Sequence, residues 1–395
     1  MDRAEWRPFL KLWSAEWIAA HDPERDEPLD EDVVRDGWLG FAPAGPVDVE
    51  ATEARLGRPL PPSLREFLLV TNGWRDAGDF IYRLAGTTEL AWLRDTDDAS
   101  WIEAYSGYAE EGEVDDADII GRSLRVSLEG DAAVMFLDPE DVDENGEWAA
   151  YWLASWSGEG PQRHDSFRHL MDEQYVAFHG LRKPPGRTRD DWDDKVERAR
   201  LAALRGEVDA PLAVWEQARR FGRERATVLR FQLLAMLGNW YDASLNDVVL
   251  FAADRAALSR DPLFASELLP LLFVEDRLHH RGECFTLSQL QRNDAGGALQ
   301  PLLDEYRERL SQPGFRLTFG NPEFDAAVHR VIERVGSDPA EVDEMWPELR
   351  KAMELWRPVS EDHIAPVVLF ADPVLAKMIT PERGGEILSM RRGAG

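Results

Sequence analysis

The segment Trp38–Trp74 reads WLGFAPAGPVDVEATEARLGRPLPPSLREFLLVTNGW. Its punctuation predicts two short helices. Asp48 to Leu56 has helical spacing, and Gly57 is the residue type that closes a helix in a left-handed turn. Leu60-Pro61-Pro62-Ser63 restarts a helix, because proline is tolerated before or within a first turn. Leu64, Phe67, Leu68 and Val70 line that helix. Asn72-Gly73 ends it in residues that accept left-handed backbone angles.

Downstream the periodicity changes from helical to alternating. Phe80-Ile81-Tyr82, Arg125 to Leu128, Ala132 to Leu137 and Trp148 to Ala154 read as strands, with the turn pair Asn145-Gly146 between the last two. A helix begins near Ser166 with Phe167, Leu170 and Met171. Upstream, Trp6, Phe9, Leu10, Trp13, Trp17 and Ile18 form one apolar face of an N-terminal helix that packs on its own domain. Residues 22–32 are an acidic, proline-broken link. Helices, then a mostly antiparallel sheet, then a helix is an α+β order, not an alternating one. Residues 1–182 therefore read as one α+β domain with an N-terminal helical extension.

Residues 183–193, KPPGRTRDDWD, read as a linker. Residues 194–395 read as an all-α domain of helical hairpins. Gly206 and Gly238 lie 32 residues apart in similar surroundings, near the about 34-residue period of tetratricopeptide arrays. Two imperfect copies favour an irregular bundle or α-α repeat. Val367-Val368-Leu369-Phe370-Ala371 echoes Val248-Val249-Leu250-Phe251-Ala252.

The chain has 395 residues, 45 Lys and Arg against 75 Asp and Glu, and a formal charge of −30. That balance disfavours phosphate-neutralising nucleic-acid binding and anionic membranes, and favours a basic protein partner. Cys284 is the sole cysteine, which excludes an internal disulfide framework and Cys-rich zinc modules. The start MDRAEWRPFL does not look like a signal peptide, and the longest apolar run, Leu268 to Val274, is far short of the roughly 20 residues a membrane span needs. A cytoplasmic protein is expected.

The search for catalytic chemistry yields no phosphate-binding loop, dinucleotide fingerprint, nucleophile elbow or His-Glu-x-x-His. His164 and His169 would not share a helix face, the adjacent His279 and His280 diverge, and nothing near Cys284 suggests a base. Asp138 to Glu147 lacks the spacing of a calcium loop. No catalytic residue, metal or cofactor is expected.

Charge patterning is more informative. Residues 95–118 hold ten acids and no base, and residues 95–147 carry a net charge of −16. The candidate partner-binding residues are Asp95, Asp97, Asp98, Glu103, Glu110, Glu111, Glu113, Asp115, Asp116 and Asp118, with Trp101, Tyr105 and Tyr108 as aromatic anchors in a charged surface loop.

The stretch Trp38–Trp74 resembles the SUKH superfamily, which joins bacterial toxin-immunity proteins with a fungal regulator of cell-wall assembly. Trp38, Gly40, Glu53, Leu56, Gly57, Leu60, Pro61, Leu64, Phe67, Leu68, Asn72 and Gly73 carry the resemblance, which extends over about residues 38–178. Leu64 stands where an aromatic is common. The resemblance implies a non-enzymatic protein-binding domain. The leading expectation is an immunity protein that neutralises a polymorphic toxin, for instance a basic nuclease, through its acidic surface. The alternative is an intracellular adaptor or regulatory scaffold that uses the SUKH-like and helical domains as interaction modules.

Overall fold

Four tryptophan and leucine side chains at helical spacing organise the first half of the protein. In the computed structural model, residues 3–107, 115–250, 255–278, 285–292, 294, 297–335 and 341–392 are described. The chain divides into two units, residues 1–190 with 220–222 and residues 191–219 with 223–395.

The first unit opens with α1 (Arg3–Ala20), α2 (Glu31–Asp36), α3 (Pro46–Leu56) and α4 (Pro62–Leu68). Then come β1 (Trp74–Arg75), β2 (Ile81–Leu84), β3 (Ala91–Trp92), α5 (Ser100–Ala104) and α6 (Asp116–Arg122). After these follow β4 (Leu124–Arg125), β5 (Ser127–Gly130), β6 (Ala133–Val142), β7 (Trp148–Ala154), β8 (Gln162–His164) and α7 (Phe167–Arg182). The described strands form two antiparallel sheets, ordered β1-β2-β5 and β3-β4-β6-β7-β8. This is the α+β order expected from the sequence.

Trp6, Leu10, Trp13 and Trp17 of α1 are buried. Trp6 meets Phe67 of α4 edge-on at 5.3 Å and Phe167 of α7 at 5.9 Å, while Trp13 meets Trp74 of β1 at 6.2 Å. Offset and edge-on rings of this kind add to the stabilisation from burial alone. The helix ends follow from their sequence. Gly57 closes α3 with a left-handed φ of 79°. Ser166 caps α7 by accepting a hydrogen bond from the His169 N–H, as short hydroxyl side chains do at helix starts. Gly73 has a φ of 107°, and a Cβ there would lie 3.0 Å from the Leu84 carbonyl oxygen, so only glycine lets β1 begin beside β2.

One polar group is sealed among these rings. The Glu16 carboxylate accepts from the Tyr175 hydroxyl, from His179 Nε2 at 3.0 Å and from the Thr188 N–H at 2.8 Å. Burial by itself would raise the Glu16 carboxyl, but the His179, Tyr175 and Thr188 hydrogen bonds outweigh it and hold the group below its ordinary value.

The second unit is all-helical among its described residues. Its helices are α8 (Arg187–Leu204, whose first turn belongs to the first unit), α9 (Asp209–Arg220), α10 (Glu224–Met236), α11 (Leu245–Leu250) and α12 (Arg255–Leu258). α13 (Leu269–Leu278), α14 (Phe285–Arg292), α15 (Gln300–Ser311), α16 (Pro322–Val335), α17 (Glu341–Glu344), α18 (Trp346–Ala352), α19 (Pro373–Met378) and α20 (Pro381–Ser389) complete it. The stretch expected as a linker holds the non-helical residues 183–186 and the start of α8. Gly206 follows α8 and Gly238 follows α10, so their spacing spans the pair α9 and α10. The later echo is not carried into structure. Val248 and Val249 lie in an α-helix, Val367–Ala371 forms a 3-10 turn, and Phe251 and Ala252 lie outside the described residues.

Trp215, Phe231, Phe264, Phe319 and Trp356 fill the core of this unit. Buried polar side chains pin its irregular C-terminal strap. Gln232 accepts from the N–H groups of Ile364 and Ala365, and Arg392 donates to the carbonyls of Ala203 and Ile364. Burial pushes Arg392 down to about 10. α20 crosses the end of α10 so closely that a Cβ at Gly384 would run into the Met236 carbonyl oxygen.

Two outcomes are expected. Gly384→Ala should destabilise the second unit by about 3 kcal/mol through overpacking, read as faster hydrogen exchange confined to that unit. Glu16→Gln should loosen the first unit at neutral pH. Because the native Glu16 carboxyl is depressed below the 4.5 of the unfolded chain, its contribution is present above about pH 4.5 and lost as pH falls below it. The exchange difference between Glu16→Gln and the native protein should therefore shrink in that acidic window, and a difference constant with pH would refute the assignment.

Candidate functional site

β6 and β7 bury both faces of their sheet. Ala133, Met135 and Leu137 with Trp148, Ala150 and Ala154 point into the aromatic core, and Val134 and Phe136 with Ala149, Tyr151 and Leu153 point the other way. Strand geometry alternates side chains in this manner, so a second apolar layer has to cover the second face. The acidic segment provides it. Leu93, Trp101, Ile102, Tyr105, Ile119 and Ile120 pack on Phe136 and Tyr151, whose rings stack at 5.4 Å.

The segment expected as a charged loop is therefore a folded cover. It consists of 3-10 turns at Leu93–Asp95 and Asp97–Ala99, then α5 and α6. Its turns are set by short polar side chains. Thr96 accepts from the Asp98 N–H at 3.3 Å, and Asp115 caps α6 by accepting from the N–H groups of Ala117 and Gly107. Three ion pairs among the described residues fasten the cover to the sheet, the longest being Arg122 to Glu140 of β6 at 3.7 Å. Arg122 donates through two nitrogens to Asp138 of β6, whose side chain is 1% exposed, and Arg125 donates to Asp98 at 2.8 Å.

The candidate residues thus fall into groups. Asp95, Asp97, Glu103 and Asp118 are exposed and form no ion pair among the described residues. Asp98 and Asp115 are engaged by their own chain, and the two N–H donors hold the Asp115 carboxyl below its ordinary value. Asp116 is half-buried, and burial together with Asp115 raises its carboxyl. Trp101 and Tyr105 stack at 6.0 Å and are half-buried against the sheet, with their outer edges accessible. Tyr108, Glu110, Glu111 and Glu113 lie outside the described residues.

Three acids of the β6–β7 hairpin, Asp141, Asp143 and Glu147, are held internally. Asp141 pairs with Arg163, Glu147 accepts from the Ser63 N–H and hydroxyl, and Asp143 orders the turn through the N–H groups of Asn145 and Glu147. His164 and His169, expected not to share a helix face, lie on β8 and the first turn of α7, which place their rings 5.4 Å apart. Burial and the neighbouring His169 lower His164. Cys284, His279 and His280 lie outside the described residues.

A second feature escaped sequence reasoning. A cleft of about 690 Å³ lies between the α1–α2 connection, the β1–β2 turn and the end of α7. Arg182 holds Asp26 at 2.9 Å and also Asp79, while Arg75 holds Asp30 at 2.6 Å. Burial raises the Asp79 carboxyl and pushes Asp76 up to about 6. The contributing positions are scattered widely along the first unit, from Trp17 to Arg182, and the turn-like Asp76-Ala77-Gly78-Asp79 was the one local hint.

Residues 43–173 match the model of the SMI1 / KNR4 family (SUKH-1). The match covers a third of the chain, and with it the cover, both sheets and the start of α7; the first unit is similar to that family. No curated protein and no solved structure matches the chain. Among the described residues no helix is long and apolar enough to cross a membrane, and no group of His, Cys, Asp and Glu is placed to hold a metal ion.

Removing the Arg122 side chain should strand the buried Asp138 carboxylate. Arg122→Ala is expected to cost about 3 kcal/mol and to raise hydrogen exchange in both the cover and β6. Exchange unchanged in β6 would show that the cover is not fastened there.

Proposed function

We propose that this protein binds a basic protein partner through its SUKH-like unit and neutralises it, in the manner of an immunity protein acting on a toxin. The observation that carries this reading is the outer face of the cover. Sealing the sheet requires only the inner residues such as Leu93, Ile102 and Ile120. It does not require Asp95, Asp97, Glu103 and Asp118, which stand exposed without ion pairs among the described residues. Carboxylates at this density repel one another, and steering an oppositely charged partner is a function that offsets that cost. Because the cover is a folded layer fastened at Arg122 and Arg125, its charges are presented in a fixed pattern.

A nuclease toxin would suit such a surface, since an enzyme that holds phosphates is basic in its cleft and an array of carboxylates can occupy that cleft. The accessible edges of Trp101 and Tyr105 lie among the acids and supply apolar contact. The large helical second unit, with its own core, supports a second reading as an adaptor in which that unit recruits another protein.

The test is capture of partners on the immobilised protein, followed by association kinetics. The immunity reading expects a basic toxin-like domain whose retention falls with salt. The combined variant Asp95→Asn, Asp97→Asn, Glu103→Gln, Asp118→Asn should slow its association about tenfold at low ionic strength and flatten the salt dependence. Unchanged kinetics would remove the electrostatic role, and salt-resistant capture of several unrelated proteins would favour the adaptor.

A further inference from the structure

We infer that the cleft bounded by Asp76, Asp79 and Tyr82 receives an arginine side chain of the partner protein. The inference rests on the basic-partner reading above and adds to it a second, chemically specific site.

The cations of the cleft are largely engaged. Arg75 holds Asp30, Arg83 holds Glu89, and Arg182 holds Asp26 and Asp79. The acceptors are not all used. Asp79 keeps a buried carboxylate oxygen with no hydrogen-bond partner. The Asp76 carboxylate has no ion pair or hydrogen bond among the described residues, although its backbone N–H is tied to the Tyr82 carbonyl at 2.8 Å. Buried acceptors without donors are costly, and they favour a ligand that brings donors. An anion would meet the Asp76 and Asp79 carboxylates, and the donors open to it are the Arg83 Nε and the exposed Arg25, which has no ion pair among the described residues.

The shape selects guanidinium over ammonium. A guanidinium brings a planar fork of N–H donors, which suits a carboxylate acceptor better than the point charge of an ammonium does. Tyr82, 46% exposed, offers a ring face beside them, on which a guanidinium stacks well. The same environment already stacks guanidiniums, for Arg75 and Arg83 lie 4.0 and 5.5 Å from the centre of the Phe41 ring. A volume of about 690 Å³ leaves room for the side chain. The site is also continuous with the acidic cover. Tyr82 and Glu129 line a second hollow of about 310 Å³ together with Asp98 and Trp101, so one basic surface could engage both.

Binding carries a pH signature. The charged and titratable groups that share the cleft with Asp76 are His21, Arg25, Asp26, Glu27 and Asp30 from the α1–α2 connection, Arg75 on β1, Asp79 in the turn, Tyr82 and Arg83 on β2, Glu129 on β5 and Arg182 on α7. Burial, with the repulsion of Asp30 and Asp26, raises Asp76 to about 6 against the pull of Arg182 and Arg75. Asp76 is therefore charged above about pH 6, and cation binding should be lost as pH falls through that value.

The experiment is ligand-observed NMR on the full chain with acetyl-Gly-Arg-Gly-amide, against the neutral isostere containing citrulline. Saturation transfer to the arginine δ protons is expected at about pH 7.5, well above the Asp76 transition. Affinity should fall about tenfold near pH 5, where little of Asp76 is ionised, and about tenfold in Asp76→Asn. Asparagine tolerates the left-handed backbone of this position, and the pH series on the unaltered protein gives an independent reading. Equal binding of citrulline, equal binding by Asp76→Asn, or no transfer to the arginine peptide would each overturn the inference. No toxin is used, so failure here leaves the acidic-cover reading to its own kinetic test, and failure of that test leaves this one intact.

Discussion

The five-stranded sheet of the first unit has two apolar faces, and that constraint governs everything around it. Alternation along β6 and β7 sends Met135 and Leu137 one way and Val134 and Phe136 the other. Burying both faces removes more apolar area from water than a one-sided sheet could, at about 25 cal/mol per Å². It also demands a layer on each side. Helices α1, α4 and α7 form one layer, held by interlocking aromatic rings. The other is formed by the segment with the densest negative charge in the chain.

That second layer explains how so acidic a stretch can be ordered. Its inner residues are apolar and its outer residues are carboxylates, so burial and repulsion act on the same short helices from opposite sides. Like-charge repulsion on an exposed face is screened by salt over about 8 Å under physiological conditions, whereas burial is not. The Arg122–Asp138 pair adds a directional constraint that burial lacks, because a nearly sealed carboxylate requires its guanidinium in one place. The outcome is a charged surface with a defined shape.

The same unit handles its remaining charges in two different ways. At Glu16 the donors converge from Tyr175, His179 and Thr188, and the carboxyl is depressed. At Asp76 burial comes without matching donors, and the carboxyl is raised. A satisfied buried acid acts as a structural rivet, while an unsatisfied one in a cleft marks a place for a ligand. The contrast lies in the hydrogen-bond partners, since Glu16, the more deeply buried of the two, is the one depressed.

The local elements were legible in the sequence because short-range chemistry decides them. Gly57, the Pro61-Pro62 pair, Gly73, Asn145-Gly146 and Ser166 each set a turn or a helix end through backbone angles or a single cap, and the helices and longer strands appeared where they placed them. The family likeness follows from the same positions, since Glu53 fixes the α3–α4 junction by accepting from the Leu60 N–H and Asn72 fixes the turn before β3 by accepting from the Thr87 N–H. What only the tertiary structure decided was which charges are free. Asp97 and Asp98 are neighbours of identical type, yet Asp98 meets Arg125, 27 residues away, and Asp97 remains exposed. Asp26, Asp76, Asp79 and Arg182 meet because a loop, a turn and a helix end converge over the three-stranded sheet. A hydrogen bond or ion pair depends on distances of a few ångströms between residues far apart in the chain, and composition and periodicity carry no record of them.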